Sequence, residues 1–312
     1  MSKHLSHPSP LFSGGVWSAA PTPFTARMEI DVESARRMVD HHLRLGVKGL
    51  FLCGTNGEGP WMTKSQQRRL ISVVVRRLRG RLPVAVQVTD NSAARILDNI
   101  NMAQGEGADI AVVAPPYFLC NVSPETIRGI YLDVIRRSPL PVGVYDRGKS
   151  SSVFVPDHVL RDIYLEPNVA VVKDSSANPA RMRIALAAKR QRPALCLLNG
   201  WEFNCIPYLK AGFDGLLLGG GAFNGHMAGR IIDAVQTGDF KLAEQIQAGM
   251  NRMMWAVYGG KKIACWLSGE KYLLMKMGIF KTWRNYPCYP LTASCRRAIE
   301  RTLKQNKEWL LP

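Results

Sequence analysis

The chain has 312 residues, 46% of them apolar, and a formal net charge of +17. That length can bury a large core, and no apolar run reaches the ~18 residues of a membrane-spanning helix, so no membrane partner is expected. The basic excess lies in amphipathic stretches such as RRLISVVVRRLRGR, with no aromatic-interleaved basic motif. It therefore reads as a solvated shell, and no nucleic-acid partner is expected.

Residues 1–13 have no apolar core of a leader peptide and are expected to form a short polar arm. From residue 14 the sequence alternates short apolar runs with amphipathic stretches. Strands are predicted at 15–24, 49–55, 83–89, 109–118, 141–146, 169–175, 194–200 and 214–220. Each lacks strict polar alternation, as expected of parallel strands covered on both faces. Between them lie helix signals: Asp31 as a cap, with Gly46 past that helix's end; the capping-box pair Thr63 and Gln66; and Pro124 directly after Ser123.

Eight βα units joined by short connections predict an α/β fold, a (β/α)8 TIM barrel over 14–234. A doubly wound open sheet usually places a Gly-rich phosphate turn after its first strand, whereas this one runs into Pro21-Thr22-Pro23-Phe24. Residues 235–312 read as a C-terminal helical extension, expected on the barrel's outer wall or at a subunit interface.

The seven cysteines are odd in number and scattered, with no CxxC, which fits reduced thiols of a cytoplasmic protein. Of the six histidines only His226 falls near a strand end. A metal site at the barrel mouth would need two or three imidazoles there, so no metal is expected.

The C-terminal strand ends of such a barrel surround its active site. Lys173 follows Val169-Ala170-Val171-Val172, so its stem starts inside a buried strand. Desolvation there would free an amine able to attack a ketone; a structural ion pair with Asp174 or Glu58 is the other reading. Tyr145 ends the preceding strand, either as a proton shuttle beside Lys173 or as a rim side chain. Gly54-Thr55-Asn56-Gly57-Glu58 makes a tight turn that could gather N–H groups around a carboxylate, or simply cap a βα connection. Glu58 reads as an anchor of that turn.

Taken in order, GTNGEG (54–59), VYD (144–146) and VVKDSS (171–176) resemble the dihydrodipicolinate synthase / N-acetylneuraminate lyase family. The resemblance covers about residues 14 to 230 and extends into the helical tail. It implies a class I lyase in which Lys173 forms an imine with a 2-oxo acid such as pyruvate and Tyr145 moves protons. Thr55 joins them in catalysis. Thr55, Asn56, Gly54, Gly200 and Arg147 form the implied substrate-binding set. The imine itself is covalent, so no cofactor is expected, and a homotetramer or homodimer is implied.

Three departures narrow the expected reaction. Asn56 stands where the family's synthases carry a second Thr. Phe118 stands at the position of a tyrosine that relays protons into a neighbouring subunit, and Tyr117 is one residue off. Ser150 stands where an arginine engages the second substrate's carboxylate, with Arg147 and Lys149 nearby. The expectation is therefore an aldolase or dehydratase of a 2-keto-3-deoxy sugar acid or related 4-hydroxy-2-oxo acid. The rival expectations are an authentic 4-hydroxy-tetrahydrodipicolinate synthase and a non-catalytic 2-oxo acid binder.

Overall fold

The computed structural model describes Phe12 and residues 14–312. The rest of the predicted polar arm lies outside the described residues. Eight short parallel strands pair in sequence order: β1 (Gly15–Ala19), β2 (Gly49–Leu52), β3 (Val84–Gln87), β4 (Ile110–Val113), β5 (Val142–Asp146), β6 (Val169–Asp174), β7 (Cys196–Asn199) and β8 (Gly215–Leu218). β8 pairs back onto β1, which closes the barrel. Each strand is followed by a helix of the same number: α1 (Val32–Arg44), α2 (Lys64–Leu78), α3 (Ala93–Gly105), α4 (Pro124–Arg137), α5 (Asp157–Leu165), α6 (Pro179–Gln191), α7 (Ile206–Ala211) and α8 (Gly221–Gln236). The fold is the expected TIM barrel.

The strands are shorter than predicted. β1 stops at Ala19 and β4 at Val113, although apolar residues continue to Phe24 and Phe118. Pro21, Pro23, Pro115 and Pro116 have no N–H to offer a ladder, so the chain leaves the sheet there. Ala20, Phe24 and Ala114 remain buried all the same, which is why composition alone overran the ends.

The predicted caps form. Asp31 accepts from the Ser34 N–H at 3.1 Å, Ser123 from that of Thr126 at 3.2 Å, and Thr63 with Gln66 makes a reciprocal capping box.

Alternation along each strand sorts the core into two bodies. Trp17, Phe51, Ile110, Val112, Val171, Leu198 and Leu217 fill the barrel interior. Val16, Leu50, Val86, Val144, Val172 and Leu218 face the helices instead. By the same parity Tyr145 and Lys173 belong to the interior, at its C-terminal end. Asp146 and Asp174 turn outward, Asp146 onto Arg181 of α6 at 3.2 Å.

Beyond α8 come α9 (Phe240–Tyr258), α10 (Trp266–Lys276), α11 (Ala293–Gln305) and α12 (Lys307–Leu310). α9 packs along α8 on the outer wall, one of the two places expected for the extension. Its end and α10 do something else: they bring Tyr258, Ile263 and Trp266 to the barrel mouth. None of the described helices is long and apolar enough to cross a membrane.

Candidate active site

A cavity of about 270 Å³ opens at the C-terminal end of the barrel. Its floor comes from strand ends: Thr55 and Asn56 after β2, Tyr145 on β5, Lys173 on β6, Ser175 just beyond it, and Gly200 after β7. Arg147 and Ser150 line it from the loop after β5. The structure thus brings Lys173, Tyr145, Thr55, Asn56, Gly200 and Arg147 to one cavity. Gly54 lies behind it and allows the turn: a Cβ there would stand 2.5 Å from the Phe51 ring.

Lys173 and Tyr145 are direct partners in the β5–β6 pairing. The Lys173 Nζ lies 4.2 Å from the centre of the Tyr145 ring and 4.9 Å from that of Phe51. Gly200 is what leaves room for this stem. A Cβ on residue 200 would stand 2.9 Å from the Lys173 Cε and 2.1 Å from the Ser175 Oγ.

Neither ion pair weighed for Lys173 forms. Asp174 faces outward, where its Oδ1 accepts from the Ser176 N–H at 2.8 Å. Glu58 is bonded to Lys271 of α10 and accepts from the Tyr286 N–H at 2.7 Å. Burial therefore dominates at Lys173 and holds its amine below the ordinary lysine value, against the opposing pull of Tyr145 and Glu202. Burial also pushes the Tyr145 phenol up. The Lys173 and Arg147 charges, with hydrogen bonds involving the Thr55 and Ser175 hydroxyls, outweigh that and bring it below its usual value. When the amine gives up its proton, much of the hold on the phenol goes with it.

Asn56 lines the cavity with its side-chain amide turned to the surrounding elements. Its Nδ2 donates to the carbonyls of Ala19 at 2.8 Å and Gly219 at 2.9 Å, and to Glu270 Oε1 at 3.3 Å. The side chain ties three elements together and has no N–H left for a carboxylate, which needs donors. Thr55 keeps a hydroxyl beside Tyr145.

Tyr117 bonds elsewhere too: Gln87 Nε2 donates to its hydroxyl at 2.8 Å, away from Tyr145. Phe118 is 68% exposed. His41 and His42 are buried in α1, burial lowering them to about 4 and about 3, and the His226 ring packs on Trp309.

Several lining residues were assigned no role from sequence. Glu202 is buried at the cavity edge and accepts from the Gly220 N–H at 2.8 Å, the Tyr258 hydroxyl at 2.9 Å and the Asn224 Nδ2 at 3.4 Å. Burial raises its carboxyl above the usual range, with those donors opposing. Trp201, Phe203, Ile263 and Trp266 form the upper wall. Glu270 and Lys271 are both fully buried beneath the turn at 54–58. One signal did mark them: two adjacent charges sit in the middle of α10 with Leu267 before them and Tyr272-Leu273-Leu274 directly after.

Residues 12–306 match the dihydrodipicolinate synthetase family. The 4-hydroxy-tetrahydrodipicolinate synthase of Kosmotoga olearia is 29% identical across 78% of this chain and 83% of its own length. That of Rhizobium meliloti is 27% identical across 94% and 98%. Among solved structures, the dihydrodipicolinate synthase of Bacteroides thetaiotaomicron superposes with a TM-score of 0.86 at 25% identity, covering 96% of this chain and 100% of that one. YagE, a prophage protein of the same family from E. coli K12 in complex with pyruvate, superposes with a TM-score of 0.83 at 21% identity, covering 95% and 99%. The chain belongs to the dihydrodipicolinate synthetase family and is a class I lyase of that family.

Proposed function

We propose that Lys173 binds a 2-oxo acid such as pyruvate as an imine, and that the protein catalyses reversible aldol cleavage of a 4-hydroxy-2-oxo acid. The observation that carries this reading is the buried Lys173 amine, free of a carboxylate partner and 4.2 Å from the ring centre of Tyr145. A desolvated amine is a nucleophile at neutral pH, and a phenol beside it can supply and retrieve the protons of carbinolamine formation and dehydration. The substrate carboxylate is assigned to the turn at 54–56, through Thr55 and backbone N–H groups rather than through the Asn56 side chain. The iminium then accepts the electron pair released as C3–C4 breaks, while Tyr145 takes the proton of the C4 hydroxyl. In a dehydratase the same imine would acidify C3 and hydroxide would leave instead.

Borohydride reduction in the presence of pyruvate, followed by peptide mass spectrometry, tests the reading. A stable adduct on Lys173 is expected. No adduct, or one on another lysine, defeats it.

The relatives named above favour a second reading, condensation of pyruvate with aspartate semialdehyde. Exposed Phe118, Tyr117 held by Gln87, and Ser150 in place of the expected arginine weigh against it. A steady-state assay with that pair decides. Turnover at ordinary enzyme concentration would replace the first reading with the second.

A further inference from the structure

The floor and the mouth of the cavity differ in chemistry. The polar groups cluster around Lys173, whereas the upper wall is Trp201, Phe203, Ile263 and Trp266. Trp201 and Ile263 are 39% and 37% exposed, large apolar surfaces that the fold itself leaves in water at a concave site. The aromatic members of the wall are packed on neighbouring rings. Trp201 packs on Phe203 at 5.7 Å between ring centres, Phe203 stacks on Trp255 at 6.3 Å, and Trp266 meets Tyr289 at 5.5 Å. The wall is therefore held in place before any ligand arrives.

The polar side chains nearest this wall are already committed. Glu202 has both carboxylate oxygens engaged, by the Gly220 N–H, the Tyr258 hydroxyl and Asn224. Tyr258 spends its only proton on that bond. Asn56 spends both of its N–H donors within the chain. A polyhydroxylated substrate needs a partner for each hydroxyl it buries, and an unpaired one is costly. An apolar group needs only surface, which the wall supplies. Arg147 and Ser150, on the loop after β5, and the unpartnered Oδ1 of Asn56 are the polar exceptions.

Resting on the imine reading above, we infer that the acceptor half of the cavity takes an aldehyde with an aryl or alkyl substituent rather than a sugar-like or anionic one. In the condensing direction, C3 of the Lys173-bound enamine forms a bond to the aldehyde carbon. The electron pair of the C=O moves to its oxygen, which takes a proton from Tyr145. Water then hydrolyses the iminium, returning the Lys173 amine and a 4-hydroxy-2-oxo acid whose C4 carries the apolar group. No oxidant or reductant is needed.

The test condenses pyruvate with benzaldehyde, D-glyceraldehyde and succinic semialdehyde, measuring kcat/KM for each, with borohydride trapping of pyruvate run alongside. Benzaldehyde is expected to exceed both others by at least about tenfold, the scale of discrimination apolar pockets achieve. Trp266→Ala and Trp201→Ser, checked for unchanged thermal melting, should shrink that ratio several-fold, and Trp266→Phe should restore part of it. Preference for glyceraldehyde or succinic semialdehyde, an unchanged ratio in both folded variants, or trapping of pyruvate without condensation of any aldehyde overturns the inference while leaving the imine standing. Failure to trap pyruvate removes the imine reading and this inference with it.

Discussion

Tyr145 and Lys173 occupy paired positions on adjacent strands, both pointing into the barrel, with the ammonium nitrogen 4.2 Å from the centre of the phenol ring. The ring thus packs against the amine, while the hydroxyl interacts with Thr55, Ser175 and Lys173 itself. Packing and proton transfer are two separable contributions of one side chain.

Tyr145→Phe separates them. The ring contact with Lys173 survives and the proton carrier is lost. Turnover should fall by about 100- to 10,000-fold, the usual worth of a positioned acid–base group. Borohydride trapping on Lys173 should persist at a reduced rate, with a melting temperature within a few degrees of the parent. Full activity in the variant would show that protons travel by another route.

The pH dependence of imine formation reports on Lys173. The protonated amine cannot attack, so the trapping rate falls as pH drops through its pKa. Because burial lowers that pKa below 10.5, the limb should lie clearly on the acid side of 10.5. A limb at the ordinary lysine value would mean that the amine is hydrated.

Asp174 makes a stability prediction with a defined window. Burial raises its carboxyl from 3.8 to about 6. A carboxyl raised in the folded state stabilises fully below its unfolded value, and that contribution is lost as pH climbs through the folded one. Between pH 4 and 7 the parent should therefore lose roughly 2–2.5 kcal/mol relative to Asp174→Asn, most of what the shift is worth at 1.36 kcal/mol per pKa unit. Urea denaturation of both proteins across that range measures it, and parallel curves would refute the shift.

The Glu58–Lys271 pair is fully buried on both sides. Lys271→Met leaves a carboxyl buried without its partner and should cost about 3–5 kcal/mol. Adding Glu58→Gln should recover part of that loss. Chemical denaturation reads both values, and a single-variant loss below ~1 kcal/mol would mean that water reaches Glu58.

Lys173, Tyr145 and Thr55 were legible from sequence because each lies at or just past the end of a strand, and a barrel sends all its strand ends to one place. The eight strands were legible for the same reason, though their ends blurred where buried residues such as Phe24 continue past the ladder. Asn56 was half legible: its turn was recognised, but three acceptors on distant segments decide where its amide points. Trp266, Glu270 and Lys271 were not placed. Helical periodicity says that α10 has a covered side, and nothing local says that the barrel mouth is what covers it.

The separation of Glu58 from Lys271, 213 residues apart in the chain, also has a meaning for synthesis. A ribosome finishes all eight strands well before it delivers α10. Until then the turn at 54–58 holds a carboxylate with no cation, and the cavity lacks Tyr258, Ile263 and Trp266. A nascent chain halted near residue 235 would own its nucleophile yet keep an open, wet mouth. The helices that follow α8 thus supply the closing step of assembly, because the buried cation and the apolar wall arrive only with α9 and α10, after the barrel is already made.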